Sequence, residues 1–197
     1  MTAKKSQINI DAVNHRKSTH IYKKQTAKGM VIKMIAYKPE KNNALPIALC
    51  IACMACGITL FALGNFGIGW RLGQQVAAVV LLVVAIEVTT KYILTDYVYE
   101  ISTEHGTPDL IVTKIGGNRS MAVCNIGADS VVCIEKRGKL REFEEQHGRM
   151  DVRYNYISNL RAENVIWVHF IHNEKKALVA IEASDEFLAH LLRYFPS

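Results

Sequence analysis

The sequence predicts an α+β membrane protein: a helical hairpin, then a small antiparallel β domain closed by a final helix. Three observations carry this. Two apolar runs, Ala44–Leu63 and Val76–Leu94, flank a short glycine-rich segment. Apolar and polar residues then alternate in short runs between Val98 and Ile181. An amphipathic stretch, Ser184–Tyr194, ends the pattern.

Each apolar run has about 20 residues, the length of helix that crosses a hydrocarbon core of about 30 Å. The first, ALPIALCIACMACGITLFAL, holds no charge, and the second, VAAVVLLVVAIEVTTKYIL, holds the single carboxylate Glu87. The connector GNFGIGWRLGQQ is too short for anything but antiparallel neighbours. Ten basic and two acidic residues fall in residues 1–43, a net +8; the whole chain carries +6, which leaves −2 for the rest. Lysine and arginine favour the cytoplasmic flank of a span. Both termini are therefore expected in the cytoplasm and Asn65–Gln75 outside, in the plasma (cytoplasmic) membrane. Phe66, Trp70, Tyr92 and Tyr97 suit the two interfaces. A cleavable signal is not expected, because the first apolar run begins near residue 44. The expected organisation is a basic arm over 1–43, a hairpin over 44–95 and a β domain over 96–197.

Residues 1–28 are polar and weakly patterned, and loose order is expected there. Gly29–Pro39, GMVIKMIAYKP, supports two readings: an interfacial amphipathic segment, or a strand pairing with the C-terminal domain. Strands are expected at Val98–Glu104, Leu110–Ile115, Ser120–Ile126, Ser130–Glu135, Met150–Tyr156, Asn164–Ile171 and Lys175–Ile181. Gly116-Gly117-Asn118 signals a hairpin between the second and third. The mixed-charge Lys136–Arg149 reads as a solvated loop. In the final helix Ser184 is the expected N-cap, Asp185 and Glu186 favour the positive end of the dipole, and Phe187, Leu188, Leu191, Leu192 and Phe195 share one face.

Seven antiparallel strands followed by one amphipathic helix, with TDYVYEIS at the entry and EASDEFLAHLLRYF at the close, resembles a pleckstrin-homology-like (PH-like) domain. With two apolar helices ahead of it, the chain resembles the bacterial PH-like membrane proteins. The resemblance covers about Tyr97–Pro196 and implies a bent sheet plugged at one end by the helix. In lipid-binding PH domains the loop between the first two strands is basic. Here Thr103–Asp109 holds two acids and no lysine or arginine, which argues against phosphoinositide binding.

Glu87 is the sharpest polar anomaly, about seven residues or roughly 10 Å before the membrane exit. A carboxylate within a span marks an ion path or a polar link to a partner. It is explained more simply by a neutral side chain, or by one reaching the interface with Lys91 one turn later. Cys50, Cys53 and Cys56 have the CxxC spacing of metal runs, yet on a continuous helix they spread along one side. Small residues there are read first as letting helices approach closely. All five cysteines, with Cys124 and Cys133, are expected reduced. Gly64, Gly67, Gly69 and Gly73 read as turn glycines rather than a phosphate loop. His169 and His172 point to opposite faces of a strand, with no cysteine or carboxylate at ligand spacing. Lys23, Lys24, Lys28, Lys33, Lys38 and Lys41 are candidates for anionic-lipid contact, beside a simple topology role.

No catalytic motif is found, and no cofactor or metal is expected. The leading expectation is a non-enzymatic binding or scaffolding protein, in contact with membrane lipids and a protein partner. Homo-oligomers fit this reading and nucleic acid does not. The alternatives are a subunit of a membrane transport or envelope-stress complex, and a membrane redox or metal protein using the three cysteines.

Overall fold

The computed structural model describes residues 19–25, 31–67, 69–103 and 106–195, with side chains from residue 34 onward. Helix α1 spans Ala44–Asn65 and α2 spans Arg71–Val88, continued by a π-helical turn at Thr89–Ile93. Both are long and apolar enough to cross a membrane. Helix α2 starts earlier than expected, so the turn is shorter than Asn65–Gln75. Arg71, Leu72 and the two glutamines are good helix formers and extend it backwards. Gly73 thus lies in the helix, not the turn, with the Trp70 ring where its Cβ would stand.

The hairpin has its small residues inside and its large ones outside. Cys53, Gly57 and Gly64 of α1 and Ala78 and Ala85 of α2 are buried, while Ile51, Ile58, Val79 and Ile86 are all more than half exposed. A water-soluble pair would invert this. A Cβ built on Gly57 would stand 3.5 Å from the Ala78 carbonyl oxygen and 3.7 Å from Leu81 Cβ, ordinary contact distances. Gly57→Ala is therefore expected to be nearly neutral. Gly57→Leu should overpack the seam and cost about 1–3 kcal/mol. Thermal melts in lipid nanodiscs distinguish the two; equal stability would refute close packing at this level.

The remaining chain forms two sheets. The first is β1 (Thr19–Gln25), β2 (Val31–Tyr37), β3 (Thr95–Ser102), β4 (Asp109–Gly116) and β5 (Arg119–Gly127), all antiparallel and in that order. The strand reading of Gly29–Pro39 is thus the one the fold adopts, from Val31 to Tyr37. Thr19–Gln25 is also a strand, within the arm expected to be loosely ordered; residues 1–18 and 26–28 of that arm lie outside the described residues. Tyr37 pairs with Tyr99 and Met34 with Ser102, so one sheet joins chain from both sides of the hairpin. Both flanks of the hairpin therefore lie at the same end.

The second sheet contains β6 (Val131–Lys136), β7 (Val152–Asn155), β8 (Val165–His172) and β9 (Lys175–Glu182), in the order β6-β8-β9-β7. It departs from the expected antiparallel pattern in one place, since β7 runs parallel to β9. The reason is the segment before β7. Lys136–Arg149 is not simply a solvated loop but carries helix α3 (Leu140–His147), and the helical crossover returns the chain to the far side of β9. Phe143 holds α3 down, buried with its ring 5.1 Å from Trp167 and packed with Met150 and Leu178.

The main core lies between the sheets and α4 (Asp185–Tyr194). Phe187, Leu191 and Phe195 are fully buried against Tyr99, Ile101, Val112, Val168 and Ile181. The sequence expectation holds here for the cap and first turn: the Ser184 hydroxyl accepts from the Phe187 N–H at 3.1 Å, and Asp185 and Glu186 occupy the first turn. Leu192, expected on the buried face, is instead 47% exposed at its margin.

Candidate functional site

The three cysteines of α1 do not converge. Cys50 Sγ lies 3.3 Å from the Ala85 carbonyl oxygen and 3.0 Å from Thr89 Oγ1, and Cys53 is buried in the helix seam. Cys56 is exposed on the other side. The i, i+3, i+6 spacing rotates the third thiol away, so the trio packs helices and holds no common ligand position. Glu87 points outward from the hairpin, exposed. It forms no ion pair with Lys91, whose Nζ sits over the Tyr92 ring at 5.2 Å from the centroid.

The basic residues have divided roles. Lys28 lies outside the described residues, while Lys23 and Lys24 fall on β1 and Lys33 on β2. Lys38 and Lys41 instead bind the exit of α2. Lys41 Nζ donates to the Ile93 carbonyl at 2.8 Å, the Thr95 carbonyl at 2.9 Å and Asp96 Oδ1 at 2.6 Å. Lys38 Nζ meets Asp96 Oδ2 at 3.0 Å. A cation at a helix C-terminus satisfies carbonyls that lack intrahelical donors. Burial alone would raise the Asp96 carboxyl, but the two ammonium groups outweigh it and hold it below its ordinary range. The π turn is closed similarly: the Thr89, Thr90 and Thr95 hydroxyls donate to the Ala85, Ile86 and Thr90 carbonyls, each at 2.8 Å.

A second clamp holds the entry to α1. Asn159 donates through Nδ2 to the Glu40 carbonyl at 3.0 Å, and its Oδ1 accepts from the Asn42 N–H at 2.8 Å. Asn159 is itself fixed by Glu182, whose carboxylate accepts from the Asn159 N–H at 2.7 Å and from Nδ2 at 2.8 Å. Burial pushes the Glu182 carboxyl up, opposed by these hydrogen bonds. The chain entering and leaving the hairpin is thus tied to the β domain at both crossings.

The cluster that sequence spacing does not reveal lies under α3. Cys133 on β6 is the register partner of His169 on β8, and His147 ends α3 above them. Cys133 Sγ is 3.9 Å from His169 Nδ1 and 3.9–4.0 Å from the two ring nitrogens of His147. One ligand atom from each of the three lies within 4.8 Å of the others. His147 Nε2 is 3.1 Å from Glu135 Oε1, two residues along β6 from Cys133 and so on the same face. His169 is only 3% exposed, and its Nε2 has no hydrogen-bond partner among the described residues. Burial lowers the pKa of His169, helped by His147 and Lys176 and opposed by Glu135, so the ring is neutral at pH 7. Burial also raises the Cys133 thiol, with Glu135 adding to it. His172 stays apart from this group, exposed at the β8–β9 turn beside Asn173. The one linear signal for the cluster is Phe143 and His147 at i and i+4 in a charged segment, a helix face that places a histidine near Phe143.

No protein-family model, curated protein or solved structure matches this chain.

Proposed function

We propose that the chain is a membrane-anchored, non-enzymatic binding or scaffolding protein. The hairpin over 44–95 anchors it in the plasma membrane with both termini cytoplasmic, and the β domain, PH-like in its antiparallel entry strands and closing helix, meets a protein partner at the inner face. The parallel β7 and the inserted α3 are departures from the PH pattern. The observation that carries the reading is the absence of a free linker at the hairpin. One residue separates the π turn from β3, and Lys41 and Asn159 lock the two crossings. Such a joint holds a recognition surface at fixed height and orientation over a membrane.

A protein partner is favoured over lipid because Lys38 and Lys41 are engaged by Asp96 and the Thr103–Asp109 loop holds no lysine or arginine. The edge strand β5, with Met121 65% exposed, offers unpaired backbone to an incoming strand. Membrane lipids contact the hairpin, and its apolar outer face leaves room for homo-oligomers. The transport or stress-complex reading rests on the outward Glu87.

Site-specific photocrosslinking of the full chain in native membranes separates the two. A discrete protein captured from position 121 on β5 is the expected result. Capture confined to position 86, on the outer face of α2 beside Glu87, would sink the proposal and move function into the membrane.

A further inference from the structure

We propose that Cys133, His147 and His169 bind one zinc ion, with Glu135 orienting His147, and that this ion staples α3 to the second sheet. The ligand set is what this cation selects. A thiolate with two imidazoles suits a borderline-soft, tetrahedral ion, and an oxygen from water or a carboxylate completes the shell. Tetrahedral zinc needs sulfur–nitrogen separations of about 3.5 Å. The observed 3.9–4.0 Å must shorten only slightly.

Two further observations point to a cation rather than to a plain hydrogen-bonded cluster. His169 is buried, and its Nδ1, the nitrogen that faces Cys133, has only a long contact to that thiol. Buried ring nitrogens are ordinarily satisfied. A metal at Nδ1 would replace the long contact with a bond; it would not reach Nε2, across the ring. The second is the Glu135–His147 contact. With Nε2–H donated to the carboxylate, Nδ1 keeps its lone pair toward Cys133, the carboxylate–histidine–metal arrangement. His147 is also the last residue of α3, where the helix dipole favours positive charge.

The binding step is simple. The Cys133 thiol releases its proton to solvent, the sulfur forms the bond to zinc, and no oxidation state changes. The consequence is structural. Helix α3 has eight residues, too few to be stable alone, and Phe143 is its one buried residue. Metal ties its C-terminal end to β6 and β8, so zinc gain or loss would dock or free the segment between β6 and β7. This inference does not rest on the partner-binding reading above.

The test uses the tag-free, full-length protein in lipid nanodiscs, with metal content by elemental analysis and cobalt as a spectroscopic probe. About one zinc per chain is expected. Cobalt should give a thiolate charge-transfer band and the intense d–d bands of a tetrahedral site. Cys133→Ser should abolish the charge-transfer band. Glu135→Gln should keep the band but weaken affinity by about 10–100-fold. The triple variant Cys50→Ala, Cys53→Ala, Cys56→Ala should bind as the parent does. Circular dichroism of each variant without metal checks that the fold survives. No cobalt band at millimolar metal overturns the proposal. So does a band that persists in Cys133→Ser or disappears in the triple variant.

Discussion

Phe187→Ala is expected to destabilise the β domain by about 3–5 kcal/mol, the largest effect of any single truncation considered. The ring is fully buried, with centroids 5.3 Å from Tyr37 and 6.4 Å from Tyr99. It therefore touches one aromatic contributed before the hairpin and one after it. Removing it loses the transfer free energy of a phenyl group and leaves a cavity that two sheets and a helix cannot close together. The Ser184 cap is retained, because its donor is the backbone N–H of residue 187, so the loss comes from packing alone. Leu192→Ala on the half-exposed face of the same helix is the control, and a change within about 0.5 kcal/mol is expected there. Pulse proteolysis of the β domain in nanodiscs reads both. Equal effects for the two residues would mean that α4 does not plug the core.

Lys41→Met is expected to cost about 2–4 kcal/mol, estimated from hydrogen bonds to charged groups of about 1.5–3 kcal/mol each with partial access to water. The Lys41 side chain is 15% exposed and Asp96 27%, so rearrangement of solvent recovers only part of the loss. The variant strips a donor from the carbonyls of Ile93, at the end of the π turn, and Thr95, at the start of β3, and leaves Asp96 with Lys38 alone. The double variant Lys41→Met, Asp96→Asn should be less damaged than the sum of the singles, because the partners act as one unit. The pH dependence follows from the direction of the Asp96 shift. Its folded-state pKa is depressed, so its contribution is present above the unfolded value of about 3.9 and is lost as pH falls through the lower folded value. The parent should therefore show an acid limb of instability below about pH 4 that is shallower in Lys41→Met. Hydrogen exchange at β3 amides is the direct readout. Identical acid limbs would mean that the clamp does not form.

Much of this fold is written locally. Two apolar runs, an alternating pattern and a capped amphipathic helix can each be read from neighbours in the chain, and each appears close to where its residues place it. The failures share another character. Helix α3 hides in a segment dense with charge, and only Leu140, Phe143 and His147 mark its buried face. The parallel pairing of β7 follows from that helix, so missing one entails missing the other. Val31–Tyr37 reads equally as a strand or an interfacial segment, because one partner, β1, lies in the weakly patterned arm and the other, β3, lies beyond two helices. The metal-ligand cluster is the extreme case. Cys133 and His169 are 36 residues apart and meet only through the β6–β8 register. Register is set by turns and packing, and no spacing rule along the chain encodes it.

The sheet shared across the hairpin has a consequence for how the protein is made. Strands β1 and β2 leave the ribosome before either helix, and the partner of β2 follows only after α2. Until then the edge of β2 opposite β1 has no neighbour, and Tyr37 lacks the cover of Tyr99 and Phe187. A flexible loop of that length would oppose closure by about 3–4 kcal/mol beyond a fixed initiation cost. Two antiparallel helices remove most of that cost by returning the chain to its starting level before β3 appears. Completion of the β domain is thereby conditional on the hairpin. A copy whose helices fail to pair presents an open strand edge and an unplugged core, the features by which quality control distinguishes unfinished from finished chains.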